Sequence, residues 1–202
     1  MSISLKFKAL SKIWRHQDAI RAFLQFYESP AAAFSGSVQP KELVFLEELV
    51  ARAAVLPGPI IEVGTLFGFT TQQIAMWKPL DKVLVTIDNF SWNPIGMPAS
   101  AHQTFTTRNL FYVTQKANVQ IFAGPSEDYH KSYAGEKPAM IFIDAGHTYE
   151  EAMVDIRWAA KMKIPIISGH DYSDSHPGVK KAVNEVFGTA IKVVGSVWAH
   201  VD

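Results

Sequence analysis

Cysteine is absent from all 202 residues. Its absence excludes disulfides, thiolate zinc sites and cysteine nucleophiles. A surplus of charge is absent as well: 19 Lys+Arg balance 19 Asp+Glu, for a formal net charge of zero. Binding to a phosphate backbone usually leaves a basic surplus, so no nucleic-acid partner is expected. Lys6, Lys8, Lys12 and Arg15 crowd one region, but they read as a solvated helix face. No apolar run approaches the roughly 20 residues of a membrane span. The opening MSISLKFKALSKIW has no uninterrupted apolar core of the signal-peptide kind. The expectation is a cytoplasmic protein with no membrane partner. Two phosphate-loop signatures are missing too: there is no G-x-G-x-x-G and no Gly-Lys-Ser/Thr loop. Internal repeats and low-complexity tracts are not seen.

A hydrophobic fraction of 48% with 19% charged residues suits a soluble globular protein, and the length suits one full core. The first part of the chain reads as helical, with Ile20, Phe23, Leu24 and Tyr27 on one helix face. SPAAAFSGSVQP (29–40) reads as a loop, after which Pro40 suits the start of a helix. From residue 59 the pattern becomes strand, then helix, repeatedly. PIIEVG, KVLVTID (82–88), NVQIFAG (118–124), AMIFID (139–144) and KIPIISG (163–169) read as strands. FTTQQIAMW, a stretch around 101–116 and the segment from Thr148 read as helices, Glu151 completing a capping-box spacing. SEDYHKSY reads as a short helix or a loop. Pro177 opens a helix with an apolar stripe of Val179, Ala182, Val183, Val186 and Phe187, stopped by Gly188. AIKVVGSVWAHV leaves no room for another crossover helix and reads as an antiparallel end. Near-continuous apolar strands alternating with amphipathic helices define an α/β fold, a doubly wound and mostly parallel sheet. The expected division is 1–55 as an N-terminal helical extension and 56–202 as a ligand-binding domain.

In such sheets ligands bind beyond the carboxyl ends of the strands. Those ends carry Glu62, Gly64 and Gly68, then Asp88, then Gly124 and Ser126, then Asp144 and His147, then His170 and Asp171. The spacing Gly64-x-x-x-Gly68 fits either a tight strand-to-helix turn or the close approach of a ligand to the backbone. Asp88 is placed to accept hydrogen bonds from both hydroxyls of a ribose, or simply to start an exposed loop.

EVGTLFGFTT (62–71), IDAGHTYEEAMVDIRWA (143–159) and SGHDYSDSHPGVKKAVNEVFG (168–188), in that order, resemble the class I S-adenosylmethionine-dependent methyltransferases. Within them the chain is similar to the small-molecule O-methyltransferase branch with I-D-x-x-H-x-Y, then H-D-Y, then P-G-V. The resemblance spans roughly residues 55–202 and implies a Rossmann-like, seven-stranded form of the sheet. It implies that Glu62, Gly64, Thr65 and Gly68 line the methionine part of the cofactor, a Cβ at Gly64 intruding on the ligand. By the same resemblance Asp88 holds the ribose, Ser126 contacts adenine, and Asp144 lies beside the sulfonium. Asp144 and His147 are the candidate catalytic residues, His147 as a general base or as a helix-entry residue bonded to backbone. Related metal-dependent enzymes place ligands at these strand ends, which makes Asp144, His170 and Asp171 the candidates for Mg2+ or Mn2+. Without a metal, His170 and Asp171 would hydrogen-bond the loop and orient the pocket.

The chain departs from the family at Asp144-Ala145-Gly146-His147, where a second acid is missing, and at Lys163-Ile164-Pro165, where paired glycines are usual. Asp155 and Trp158 match family positions but suit packing and a helix-anchoring bond. His176 suits a helix start, and His16, His102, His130 and His200 show no constellation. The loop NFSWNPIGMPASAH (89–102) places Phe90, Trp92 and Met97 where they would cover adenine or acceptor. The N-terminal helices are the other candidate lid, and a homo-oligomer contact. The expectation is methyl transfer from S-adenosylmethionine to a hydroxyl of a small molecule. The alternatives are a non-catalytic binder of that cofactor or a nucleotide, and an NAD-linked oxidoreductase.

Overall fold

Apolar strands and amphipathic helices alternate from Pro40 onward in the computed structural model, which describes residues 38–202. The helical stripe of Ile20 to Tyr27, the basic cluster before it and most of the expected N-terminal extension lie outside the described residues. Helix α1 (Pro40–Ala54) starts at its proline. Its Glu42 carboxylate folds back onto the Gln39 N–H at 2.7 Å, closing a capping box. Then follow β1 (Ile60–Val63), α2 (Phe69–Trp77), β2 (Leu84–Asp88), α3 (Ala99–Asn109), α4 (Phe111–Lys116), β3 (Val119–Ala123) and α5 (Ser126–Ser132). The chain ends with β4 (Met140–Ile143), α6 (Tyr149–Lys161), β5 (Ile166–Gly169), α7 (Pro177–Phe187), β6 (Lys192–Val194) and β7 (Val197–Val201). The single helical stretch expected around 101–116 is two helices, which meet at Leu110.

The seven strands form one sheet in the order β3-β2-β1-β4-β5-β7-β6. Strands β1 to β5 are parallel, and β7 runs antiparallel to both neighbours. The C-terminal stretch is thus a hairpin, turned at Gly195 with φ +65°. Every residue of β1, β4 and β5 is buried because helices cover both faces of the sheet. One face packs α1, α2 and α4 through Leu46, Leu49, Ile74 and Val113; the other packs α6 and α7 through Ile156, Ala159, Ala182 and Val183. Helix α1 therefore shares a core with the sheet. Among the described residues no helix is long and apolar enough to cross a membrane.

The register sets the site. Val63 pairs with both Ile87 and Ile143, and Ile143 pairs with Gly169. The residues that follow, Gly64, Asp88, Asp144 and His170, therefore come level at one edge of the sheet. The order of strands reverses at β1/β4, the place where such sheets bind ligands.

Candidate active site at the strand ends

The turn after β1 is built by its glycines. Gly64 has φ +96° and Gly68 φ +84°, a region that suits glycine. A Cβ on Gly64 would lie 1.8 Å from the Asp144 carbonyl oxygen, and one on Gly68 would lie 2.7 Å from the Leu110 side chain. Gly64 is therefore demanded by the neighbouring β4 backbone. The expected reason, room for a ligand, is not needed to explain it.

Asp88 ends β2 and turns its carboxylate onto this loop. Oδ2 accepts from the N–H groups of Thr65 and Leu66 at 2.9 and 2.8 Å, and Oδ1 accepts from Phe90 N–H at 2.7 Å. A carboxylate offers about four acceptor positions, and these bonds use most of them. Asp88 thus holds the loop, and the expected grip on both ribose hydroxyls is reduced to the capacity left over. Thr65 is buried, its hydroxyl 2.6 Å from that of Thr86.

Glu62 is fully buried in β1. Its Oε2 accepts from Thr71 Oγ1 at 2.5 Å and from Thr86 Oγ1 at 2.7 Å, whereas Oε1 has no partner. Burial pushes its carboxyl up to about 8, against the two threonine bonds and helped by Asp144 and Asp88. Through Thr71 and Thr86, Glu62 ties β1 to the start of α2 and to β2.

Beyond β4 and β5 the remaining expected residues converge. His170 Nδ1 faces Asp171 Oδ1 at 3.2 Å and Asp144 Oδ1 at 3.5 Å. His147 Nε2 lies 2.8 Å from Asp171 Oδ2. Burial works against charge on His170, but the nearby carboxylates of Asp144 and Asp171 outweigh it and carry the imidazole up to about 10. Asp171, raised by burial, is brought below its ordinary value by His170, His147 and His176. Its backbone sits at φ +60°, unusual for a non-glycine.

Glu42 was not legible as a site residue. It is 2% exposed, accepts from Ser196 N–H at 2.6 Å, and its Oε2 approaches His170 Nε2 at 3.5 Å. Ser196 Oγ lies 2.9 Å from the same His170 nitrogen. Burial alone would raise the Glu42 carboxyl; the bonds from Ser196 and Gln39, with His170 nearby, bring it below its ordinary value. A helix from one end of the described chain and a hairpin from the other thus close the far side of His170. The local signal at Glu42 is only that of a helix-start acid, 154 residues before Ser196.

The missing acid at Gly146 has a structural counterpart. A Cβ there would lie 2.6 Å from the Glu151 Cβ and 2.7 Å from its Oε2. Glu151 occupies that space because its carboxylate accepts from Thr148 N–H at 3.1 Å in the expected capping box.

Ser126 opens α5 at the β3 end of the same edge. It touches Asp155, whose carboxyl burial pushes up to about 6 against the lowering effect of Ser126. Trp158 stacks on His130 with ring centroids 4.2 Å apart, the packing role expected of it. In the loop after Asp88, Phe90 and Met97 are buried, and His102 is buried with Nε2 2.8 Å from the Leu66 carbonyl. That loop is docked on the glycine turn, and Trp92 alone of the three expected lid residues is exposed. An open groove of about 660 Å³ lies at the opposite, amino ends of the strands, beside Pro57, Lys82 and Gln120, remote from these groups.

A family model described as a methyltransferase domain matches residues 61–172. No curated protein matches the chain. Among solved structures, the O-methyltransferase from Bacillus cereus in complex with S-adenosylhomocysteine is 19% identical with TM-score 0.63, covering 92% of this chain and 91% of that one. The calicheamicin methyltransferase CalS11 is 16% identical with TM-score 0.66, covering 92% and 91%. TomG from Streptomyces achromogenes, an O-methyltransferase of tomaymycin synthesis solved with S-adenosylmethionine, is 18% identical with TM-score 0.61, covering 91% and 89%. At these identities the likeness speaks to the fold.

Proposed function

The chain belongs to the methyltransferase-domain family, and from that premise we propose that it transfers the methyl group of S-adenosylmethionine to a hydroxyl of a small molecule. One observation carries the reading: Gly64, Asp88 and Asp144 stand level at three neighbouring strand ends, at the β1/β4 switch point. The donor in this reading is the one bound by the S. achromogenes neighbour, and the B. cereus neighbour holds its demethylated form.

Methyl transfer from a sulfonium is an in-line displacement in which the acceptor oxygen attacks carbon as the thioether leaves. The cofactor brings the activated carbon, and the protein aligns the partners. A neutral hydroxyl is a poor nucleophile, so its proton must go somewhere. His147 is the base in this reading. Asp171 Oδ2 at 2.8 Å fixes the proton on His147 Nε2 and leaves Nδ1 to accept the substrate proton. Its side chain is 45% exposed, so an acceptor can reach it. Asp144, at the end of β4, helps seat the cofactor in this reading.

Asp144, His170 and Asp171 also fit a divalent cation. The buried His170 Nδ1 faces both carboxylates, and one donor atom from each of the three residues lies within 4.8 Å of the others. Two carboxylates with one imidazole suit Mn2+ or Mg2+. Bound there, the ion would supply Lewis acidity to the acceptor oxygen.

Calorimetric titration with S-adenosylhomocysteine is expected to show binding. Absence of that binding, together with measurable NADH binding, would replace this reading with the oxidoreductase one. Incubation with S-adenosylmethionine and a panel of phenols and sugars is expected to yield a methyl ether, detected by mass. Binding without product across the panel would leave only a binding protein. His147→Ala is expected to lower kcat by about 10²- to 10⁴-fold and to change the pH–rate profile. An unchanged profile would remove His147 as the base.

A further inference from the structure

Asp171 belongs to two donor sets. The first is the one with Asp144 and His170 described above. The second is His147, Asp171 and His176, whose donor atoms also all lie within 4.8 Å of one another. His147 Nε2 is 2.8 Å from Asp171 Oδ2, and His176 Nδ1 is 3.5 Å from Asp171 Oδ1. The two rings face each other with centroids 4.4 Å apart. Two imidazoles and a carboxylate around a tetrahedral zinc ion stand about 3.4 Å apart, from metal–ligand distances of about 2.0–2.1 Å. The two separations to Asp171, 2.8 and 3.5 Å, bracket that value.

Hydrogen bonding accounts for His147 but leaves His176 poorly explained. Its Nδ1 is 3.3 Å from Ser173 Oγ and 3.5 Å from Asp171, long for either bond, and it makes no side-chain cap to α7. The backbone nonetheless holds it against His147. A Cβ on Gly178 would lie 2.6 Å from both the His147 carbonyl oxygen and the Tyr149 nitrogen, so α7 begins in direct contact with the His147 segment. Side-chain exposures of 45% for His147 and 31% for His176 leave room for water to complete the coordination.

We propose that His147, Asp171 and His176 form a second cation site, selective for a divalent transition metal such as zinc, whose occupancy withdraws His147 from proton transfer. The donor chemistry separates the two sets. The imidazole-rich set prefers zinc or cobalt, and the carboxylate-rich set prefers magnesium or manganese. Zinc on His147 Nε2 displaces the proton held there, and the neutral ring then carries its one proton on Nδ1, the atom that would otherwise accept from the substrate. The inhibitory consequence rests on the methyl-transfer reading; the site itself does not.

Zinc titration of the magnesium-saturated protein by calorimetry tests it, alongside His176→Ala, His176→Gln and Asp144→Asn. The expected result is one zinc site, weakened at least tenfold by either His176 change and kept in Asp144→Asn, with folding checked by melting temperature. Cobalt is expected to give a visible absorption band that the His176 variants lose. Zinc bound equally well by the His176 variants and lost from Asp144→Asn would place the ion with Asp144 and overturn the proposal, as would no zinc binding at all. Within each protein, the ratio of turnover with and without zinc reads the inhibition. It is expected to be large in the wild type and near one in the His176 variants. Zinc binding that depends on His176 in a protein with no methyl transfer would uphold the site and remove only the reading on which the inhibition rests.

Discussion

Glu62 holds its proton through most of the physiological range because burial drives its carboxyl from 4.5 to about 8. The unfolded chain releases that proton near the ordinary value, so ionisation favours unfolding as pH rises. Stability from this group is complete below about pH 4.5 and is lost as pH climbs through about 8. Glu62→Gln cannot ionise. It keeps an oxygen for Thr71 and Thr86 but places an amide where no acceptor stands, at a pH-independent cost of about 1–3 kcal/mol. The melting temperature of the variant is therefore expected to gain on the wild type between about pH 6 and pH 9. A constant difference across that range would show that Glu62 does not titrate there.

At the scale of elements, the α6 cap and the missing family acid are one feature. Glu151 closes the capping box and fills the space beside Gly146. Gly146→Asp alone is expected to cost about 1–3 kcal/mol through overpacking against Glu151. Glu151→Ala alone is expected to cost about 0.5–2 kcal/mol through the lost cap. The double variant is expected to be more stable than the sum of the two costs predicts, because truncating Glu151 makes room for the side chain added at position 146. Urea denaturation of all four proteins measures the coupling, and additivity would mean the two positions do not share space. The β1–α2 turn works by the same logic: Gly64 meets a backbone oxygen, which cannot swing aside as a side chain can.

At the scale of the whole molecule, His170 stands at the junction of β4, β5, α1 and the C-terminal hairpin. Its folded value of about 10 lies above the ordinary 6.5, so its stabilisation is complete below about 6.5 and is lost as pH rises through 10. Glu62 acts in the same direction. The metal-free protein is therefore expected to melt at progressively lower temperature from mildly acidic to alkaline pH. A divalent ion binding at His170 must displace its proton, so Mn2+ affinity is expected to rise about tenfold per pH unit below that value. Calorimetry in buffers of different ionisation enthalpy counts the released proton. Mn2+ affinity flat with pH, and no proton released, would remove His170 as a ligand.

The parallel strands, the helices between them and the order of their polar ends were legible in the chain, because alternation and helix period are local properties. Thr148 with Glu151 and Pro177 with Gly188 could be placed for the same reason. What each end residue does depends on neighbours distant in sequence. Gly64 answers to the Asp144 carbonyl, Asp88 to the amides of residues 65, 66 and 90, and His170 to a glutamate from α1. Strand register brings those groups to within bonding distance, and only the folded sheet sets that register. The order of residues decided which chemical groups reach the cleft. The packing of backbone against backbone decided which of them remain available to a ligand and which are already spent holding the cleft in shape.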